Sequence, residues 1–189
     1  MSDLSLEAKK TALIAIDLQN AIVGMSTAPH TPAEVVQRNR QIADTLRTKG
    51  GLVVWVRVDI NGFRWLTVDQ PSPFAGKQVP EELSQLAAQN GKQDADLLIT
   101  KRSWGAFAGT ELEEQLTKRC IETVLLTGIS TNAGVESTLR EGSDRGFGFV
   151  VVEDACASQS TDEHRYAIGK IFPRLARVRS TREVLKALA

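Results

Sequence analysis

The chain has 189 residues, 42% hydrophobic and 24% charged, an ordinary globular composition long enough to bury one sizeable core. Lysine plus arginine equals aspartate plus glutamate, 23 against 23, so there is no general electrostatic case for nucleic acid or an anionic membrane surface. Two cysteines, two histidines far apart (His30 and His164) and no CxxC or HxxxH argue against a disulfide framework and a dedicated zinc site.

The N-terminal segment MSDLSLEAKK mixes acids with lysines and has no apolar core, so neither a signal peptide nor an anchor is expected there. The longest apolar runs are far too short to span a bilayer. A reduced cytoplasmic setting is the expectation. Residues 11–18 (TALIAIDL) then read as a buried strand. Thr31-Pro32-Ala33-Glu34 has the form of a capping box with proline at the first helical position. Val35, Val36, Ile42 and Leu46 fall on roughly one face of the helix that follows, and Gly50-Gly51 ends it. Residues 52–58 read as the second strand.

The stretch 59–93 is long and irregular, with Pro71, Pro73 and Pro80. Such an insertion is a lid, a substrate loop or a subunit contact. Regular patterning resumes with a third strand at 96–100. Thr110 to Glu113 has the spacing of a second capping box, opening a helix that ends near Arg119. A fourth strand covers 123–129, a helix 134–145, a fifth strand 147–153, a helix 161–172 and a short strand 176–178. Ser180 to Glu183 caps the last helix. Continuous apolar strands, each followed by a helix, predict a parallel sheet buried on both faces. The expected fold is a three-layer α/β/α sandwich around a mainly parallel, doubly wound sheet of about six strands, forming one domain over 1–189.

In an open parallel sheet, ligands sit beyond the carboxyl ends of the strands. Those ends carry Asp17, Gln19 and Asn20 after the first strand, and Arg57 and Asp59 at the second. Lys101, Arg102, Trp104 and Phe107 follow the third, Ser130, Asn132 and Gly134 the fourth, and Glu153 and Asp154 the fifth. An acid, a lysine and a helix start on one edge make a plausible acid–base and anion-binding site. Each also has a plainer use. Asp17 could cap a loop, Lys101 could be solvated, Trp104 and Phe107 could be packing, and Gly134 could serve close helix packing.

Four segments carry a resemblance: ALIAIDLQN (12–20), ITKRSWGAFAGTEL (99–112), LLTGISTNAGVESTLREG (125–142) and VVVEDACAS (150–158). In this order and spacing the chain resembles the isochorismatase-like hydrolases, which include isochorismatases, nicotinamidases and N-carbamoyl amidohydrolases. The resemblance implies that Asp17 and Lys101 belong to the catalytic site. It also implies a non-proline cis peptide at Ile129-Ser130, with the N–H groups of Ser130 and Gly134 facing substrate as an oxyanion hole. Gln19, Trp104, Phe107, Ser130 and Asn132 are then the expected substrate contacts.

The sequence also departs from that pattern. Amidase members place a cysteine nucleophile where this chain has Gly134, and neither Cys120 nor Cys156 lies at the matching place. Nicotinamidases present an Asp/His metal cluster after the second strand, where this chain reads VRVDINGFRW without histidine. The chain thus resembles a glycine-bearing branch of the family that lacks the cysteine nucleophile. No metal or other cofactor is expected. The expected partner is a small, carboxylate-bearing substrate, with a homodimer or homotetramer implied by the resemblance. Three readings stay open: acid-catalysed vinyl-ether hydrolysis, direct water attack on an amide or ester, and a small-molecule-binding protein that has lost turnover.

Overall fold

The computed structural model describes residues 4–188. Six strands form one sheet: β1 (Thr11–Ile16), β2 (Leu52–Val58), β3 (Leu97–Lys101), β4 (Thr123–Ile129), β5 (Gly148–Ala157) and β6 (Arg177–Arg179). Every neighbouring pair is parallel, in the order β3-β2-β1-β4-β5-β6. The order reverses between β1 and β4, which opens a crevice at their carboxyl ends.

Strand alternation divides the core between two faces. Ala12, Ile14 and Ile16 of β1 join one cluster with α3 (Leu112–Lys118) and α4 (Glu136–Asp144), through Leu112, Leu116 and Leu139. Leu13 and Ala15 join the other, against α2 (Pro32–Thr48) and α6 (Thr181–Leu188), through Val35, Ile42, Leu46 and Val184. The result is the three-layer arrangement that the apolar runs predict. Among the described residues no helix is long and apolar enough to cross a membrane.

The capping boxes at Thr31/Glu34 and Ser180/Glu183 form as read. The one expected at Thr110/Glu113 does not. The Thr110 hydroxyl donates to the Ala106 carbonyl at 2.6 Å and accepts from Leu112 N–H at 3.2 Å, so it braces the preceding loop, and Glu111 is the residue before the helix. A further capping box, Ser160/Glu163, opens α5 (Thr161–Tyr166). The fifth strand is longer than its sequence suggests. It slips register against β4 between Leu126 and Gly128 and continues to Ala157. Asp154 therefore lies within the strand and not beyond it, and Glu153 is not its last residue. Asp154 Oδ1 accepts from the Thr181 N–H and hydroxyl at 2.7 and 2.8 Å, tying β5 to the start of α6.

One glycine is dictated by the crossover itself. Gly128 has φ 119°, and a Cβ there would lie 2.2 Å from the Ile16 carbonyl oxygen. No side chain fits between β1 and β4 directly behind the crevice.

The irregular stretch 59–93 is anchored along its length, and three of the anchors define its ends and neck. Asp59 pairs with Arg102 at 2.9 Å. Asn61 and Val79 exchange two hydrogen bonds, Nδ2 to the Val79 carbonyl and Val79 N–H to Oδ1, both 2.9 Å. At the return into β3, Asp96 accepts from Trp55 Nε1 at 2.8 Å and from Arg47 at 2.6 Å. Segment 62–78 is therefore a loop closed at its neck, rising over the carboxyl edge of the sheet.

Candidate active site

Asp17 follows β1 directly. Its N–H donates to the Val56 carbonyl at 2.9 Å, and its φ of 54° turns the chain sharply out of the strand. That left-handed conformation costs a non-glycine residue about 1–2 kcal/mol, so something fixes the carboxylate where it is. Lys101 is the last residue of β3, two strands away, a gap of roughly 10 Å at ordinary sheet spacing. A long side chain spans it. Lys101 Nζ reaches Asp17 Oδ2 at 2.9 Å, with both side chains nearly excluded from solvent.

The same ammonium donates to the Trp104 carbonyl at 2.6 Å. Asp17 Oδ1, by contrast, has no hydrogen-bond partner among the described residues. An orphaned buried carboxylate oxygen is costly and needs a reason. Burial pushes the Asp17 carboxyl above the ordinary aspartate range, while the charge and hydrogen bond of Lys101 pull the other way.

Beyond β4, the Ile129-Ser130 peptide is cis, and a single wide turn, Thr131–Val135, leads into α4. This turn carries Gly134 to the pair. A Cβ at 134 would stand 3.1 Å from Asp17 Oδ2, 3.1 Å from Lys101 Nζ and 3.0 Å from Ile16 Cγ2. The glycine thus keeps a side chain from crowding both polar atoms. The turn is held from behind by a buried pair, Thr131 Oγ1 and His164 Nδ1, 2.8 Å apart. Burial, helped by nearby His30, pushes the His164 imidazole down to about 4, so it is neutral near pH 7.

These elements surround a cavity of about 480 Å³, within the range of small-molecule sites. Asp17, Lys101, Trp104, Ser130, Asn132 and Gly134 all line it. Two expected contacts do not. Gln19 is fully buried and clamps the strand exits, donating to the Val58 carbonyl at 3.0 Å and the Leu83 carbonyl at 3.2 Å and accepting from Val58 N–H at 2.7 Å. Phe107 packs in the core, stacked on Phe147 with ring centroids 5.8 Å apart, beneath the Arg145 guanidinium. Its N–H donates to Glu141 at 3.0 Å, and that of Ala106 to Thr138 at 3.1 Å, docking the loop that presents Trp104 onto α4.

The loop after β2 supplies lining residues that strand-end reasoning did not single out, among them Phe63, Arg64 and Trp65. An aromatic run just past a strand end, on the edge that carries Asp59, was the available signal. Neither cysteine lines the cavity. Cys156 is fully buried, and burial pushes its thiol far above the usual range; Cys120 is exposed. Among the described residues no three of His, Cys, Asp or Glu converge as a metal site would require.

A doubly wound sheet whose crevice holds a buried acid beside a lysine places the chain among the α/β proteins that work on a small molecule at the switch point. More narrowly, it belongs to the isochorismatase family of hydrolases: the family model described as the isochorismatase domain matches residues 11–183. The uncharacterized isochorismatase family protein YecD of Escherichia coli O157:H7 is 48% identical over 98% of this chain and 100% of its own length. The ureidoacrylate amidohydrolase RutB of Klebsiella pneumoniae is more distant, 28% identical over 80% of this chain and 75% of its own. An isochorismatase family protein from Burkholderia thailandensis superposes with a TM-score of 0.93 at 37% identity, covering 99% of each chain.

Proposed function

We propose that this isochorismatase-family hydrolase acts on a small, carboxylate-bearing metabolite by direct attack of water, without a covalent enzyme intermediate. One observation carries the reading: Gly134 lines the cavity and puts no side chain beside Asp17 Oδ2 and Lys101 Nζ, and no thiol lines that cavity. With no nucleophilic side chain beside the pair, water is the attacking group that remains.

Asp17 is the proton-transfer group in either of two chemistries. Protonated, it gives its proton to the terminal carbon of a vinyl ether, water adds to the resulting oxocarbenium carbon, and the hemiketal collapses to a carbonyl compound and an alcohol. Ionised, it takes a proton from the water whose oxygen bonds to an amide or ester carbonyl carbon, and the N–H groups of Ser130 and Gly134 receive the oxyanion. Lys101 fixes the Asp17 carboxylate in both. The raised Asp17 carboxyl favours the general-acid route, because a proton is retained further toward neutral pH. The likeness to an amidohydrolase speaks for the other.

The test is a single-turnover assay in ¹⁸O-labelled water across vinyl ethers, N-carbamoyl compounds, amides and esters bearing a carboxylate. The expected result is one labelled oxygen in product and no change in protein mass. A protein adduct trapped during turnover would overturn the non-covalent reading. Tight binding without turnover on any member would replace it with the binding-protein reading.

A further inference from the structure

Thr138 lies in the first turn of α4, fully buried, and its hydroxyl touches two separate pieces of the site. It donates to the Gly134 carbonyl at 2.7 Å and accepts from the Ala106 N–H at 3.1 Å. The direction of its proton is fixed. A main-chain N–H can only donate and a carbonyl can only accept, so the hydroxyl takes the first and gives its hydrogen to the second. A helical threonine often bonds back to the carbonyl four residues earlier, and that contact alone would be ordinary. The bond from Ala106, 32 residues away, is not of that kind.

The two ends of this bridge hold different parts of the chemistry. On one side is the turn after β4, where the Ala133 and Val135 N–H groups both reach the Ser130 carbonyl at 3.2 Å and Gly134 stands beside Asp17 and Lys101. On the other is the loop after β3. Ala106 is fully buried, and the next N–H, that of Phe107, is held by Glu141, one turn further along the same helix face. Gly105 passes so close that a Cβ there would overlap the Glu141 carboxylate. The residue before it is Trp104, whose carbonyl accepts from Lys101 Nζ at 2.6 Å. Residues 105–107 are thus fixed against α4, and the acceptor that orients the ammonium comes immediately before them. Glu141 reaches the loop alone, whereas Thr138 reaches both loop and turn.

We propose that Thr138 is a positioning residue of the acid–lysine site: its single oxygen locks the Gly134 turn and the Trp104 carbonyl into one frame, and so sets where the Lys101 ammonium stands against Asp17. This rests on the hydrolase reading, in which Lys101 fixes the Asp17 carboxylate. Among the described residues, Asp17 and the Trp104 carbonyl are the acceptors of that ammonium. Without the hydroxyl, the buried Ala106 N–H has no acceptor, and an unmet buried donor drives the loop toward water. The Trp104 carbonyl moves with it, and the ammonium loses one of the groups that hold it.

The test needs no substrate, so its failure is separable from failure of the ¹⁸O experiment. Lys101 is the one buried lysine among the described residues, and its ¹⁵N ammonium resonance is assigned by its loss in Lys101→Arg. In the wild type the ammonium hydrogens should exchange slowly with solvent. Thr138→Val, which keeps the shape and removes the oxygen, should speed that exchange by about tenfold or more, the change expected for one lost bond to a charged group. The ¹³Cγ resonance of Asp17 should then titrate at higher pH than in the wild type, because Lys101 holds that carboxyl down against burial. Thr138→Ser, which keeps the oxygen, should restore both signals. Thr11→Val removes another buried hydroxyl, bonded to the Glu7 carbonyl at 2.8 Å at the opposite end of β1, and should lower Tm without moving either signal. Deuterium exchange at the wild-type Ala106 amide adds a reading that requires no variant to fold, and protection is expected there. Unchanged Lys101 and Asp17 signals in a folded Thr138→Val, the same changes in Thr11→Val, a Thr138→Ser variant that behaves like Thr138→Val, or an unprotected Ala106 amide would each overturn the proposal.

Discussion

Asp17 and Lys101 meet at 2.9 Å across the width of β2, and the pair uses only one of the two carboxylate oxygens. The other oxygen, Oδ1, is buried without a partner among the described residues, which disfavours the charged form and keeps a proton available on the group. Asp17→Asn should therefore lower turnover by at least ~10²-fold, the scale of a lost general acid or base. The pH profile of the wild type decides which role is lost. Because burial raises the Asp17 carboxyl, a general acid gives kcat/KM that falls as pH rises through that shifted value, and a general base gives the opposite limb. An Asp17→Asn variant with wild-type turnover would remove the residue from the chemistry.

Gly134→Ala puts a methyl group 3.1 Å from both atoms of the pair and 3.0 Å from Ile16 Cγ2. Contacts this short force the neighbours to move by a few tenths of an ångström. Overpacking of this kind costs about 1–3 kcal/mol, a few degrees in Tm for a chain of this size. Turnover should suffer far more than stability, by tenfold or more. Equal losses in both would mean that the glycine serves packing alone.

The thiols should be dispensable for chemistry. Cys156 lies in β5, fully buried in the core cluster, its thiol pushed up and un-ionised at neutral pH, and Cys120 does not line the cavity. A folded Cys120→Ser/Cys156→Ala variant should keep most activity, although the cavity left at 156 can lower its Tm. A folded double variant without turnover, with an adduct on Cys156 in the wild type, would assign a nucleophile to that cysteine.

His164 predicts an acid limb in stability. Its folded value of about 4 lies below the ordinary 6.5, so between those values the unfolded chain binds the extra proton. Stability from this group is present above pH 6.5 and is lost as pH falls toward 4. His164→Asn can retain a hydrogen bond to Thr131 but does not titrate. Its Tm should therefore depend less steeply on pH across that window than the wild type's. Parallel curves would place the acid sensitivity elsewhere.

Much of this was legible in the residues. The apolar runs predict the strands and the layer order, because a sheet buried on both faces needs no alternation. Strand ends placed Asp17, Lys101 and the β4 turn on one edge. What escaped was set by contacts distant in sequence. Asp154 read as lying just past the fifth strand, yet it is inside the strand and satisfied by Thr181 from another element. The spacing of Thr110 and Glu113 matched a helix start, but Ala106 offered the hydroxyl a nearer partner. Gln19 and Phe107 leave the correct strand ends and then turn into the core, a choice made by side-chain rotamers that no strand-end rule reports. The Thr131–His164 pair joins residues 33 apart in sequence with no local mark.

The neck formed by Asn61 and Val79 has a consequence for how the molecule can be altered. Both main-chain groups of Val79 are taken by one amide side chain, so the neck holds the two ends of segment 62–78 together. The acid–lysine pair belongs to the sheet, and the cavity-lining residues Phe63, Arg64 and Trp65 belong to this segment. The acid–lysine pair and this part of the cavity lining therefore sit on separate pieces of chain. A transplanted segment of different composition, spliced at 61 and 79, should change which molecule is accepted while leaving the distance between Asp17 and Lys101 as it is.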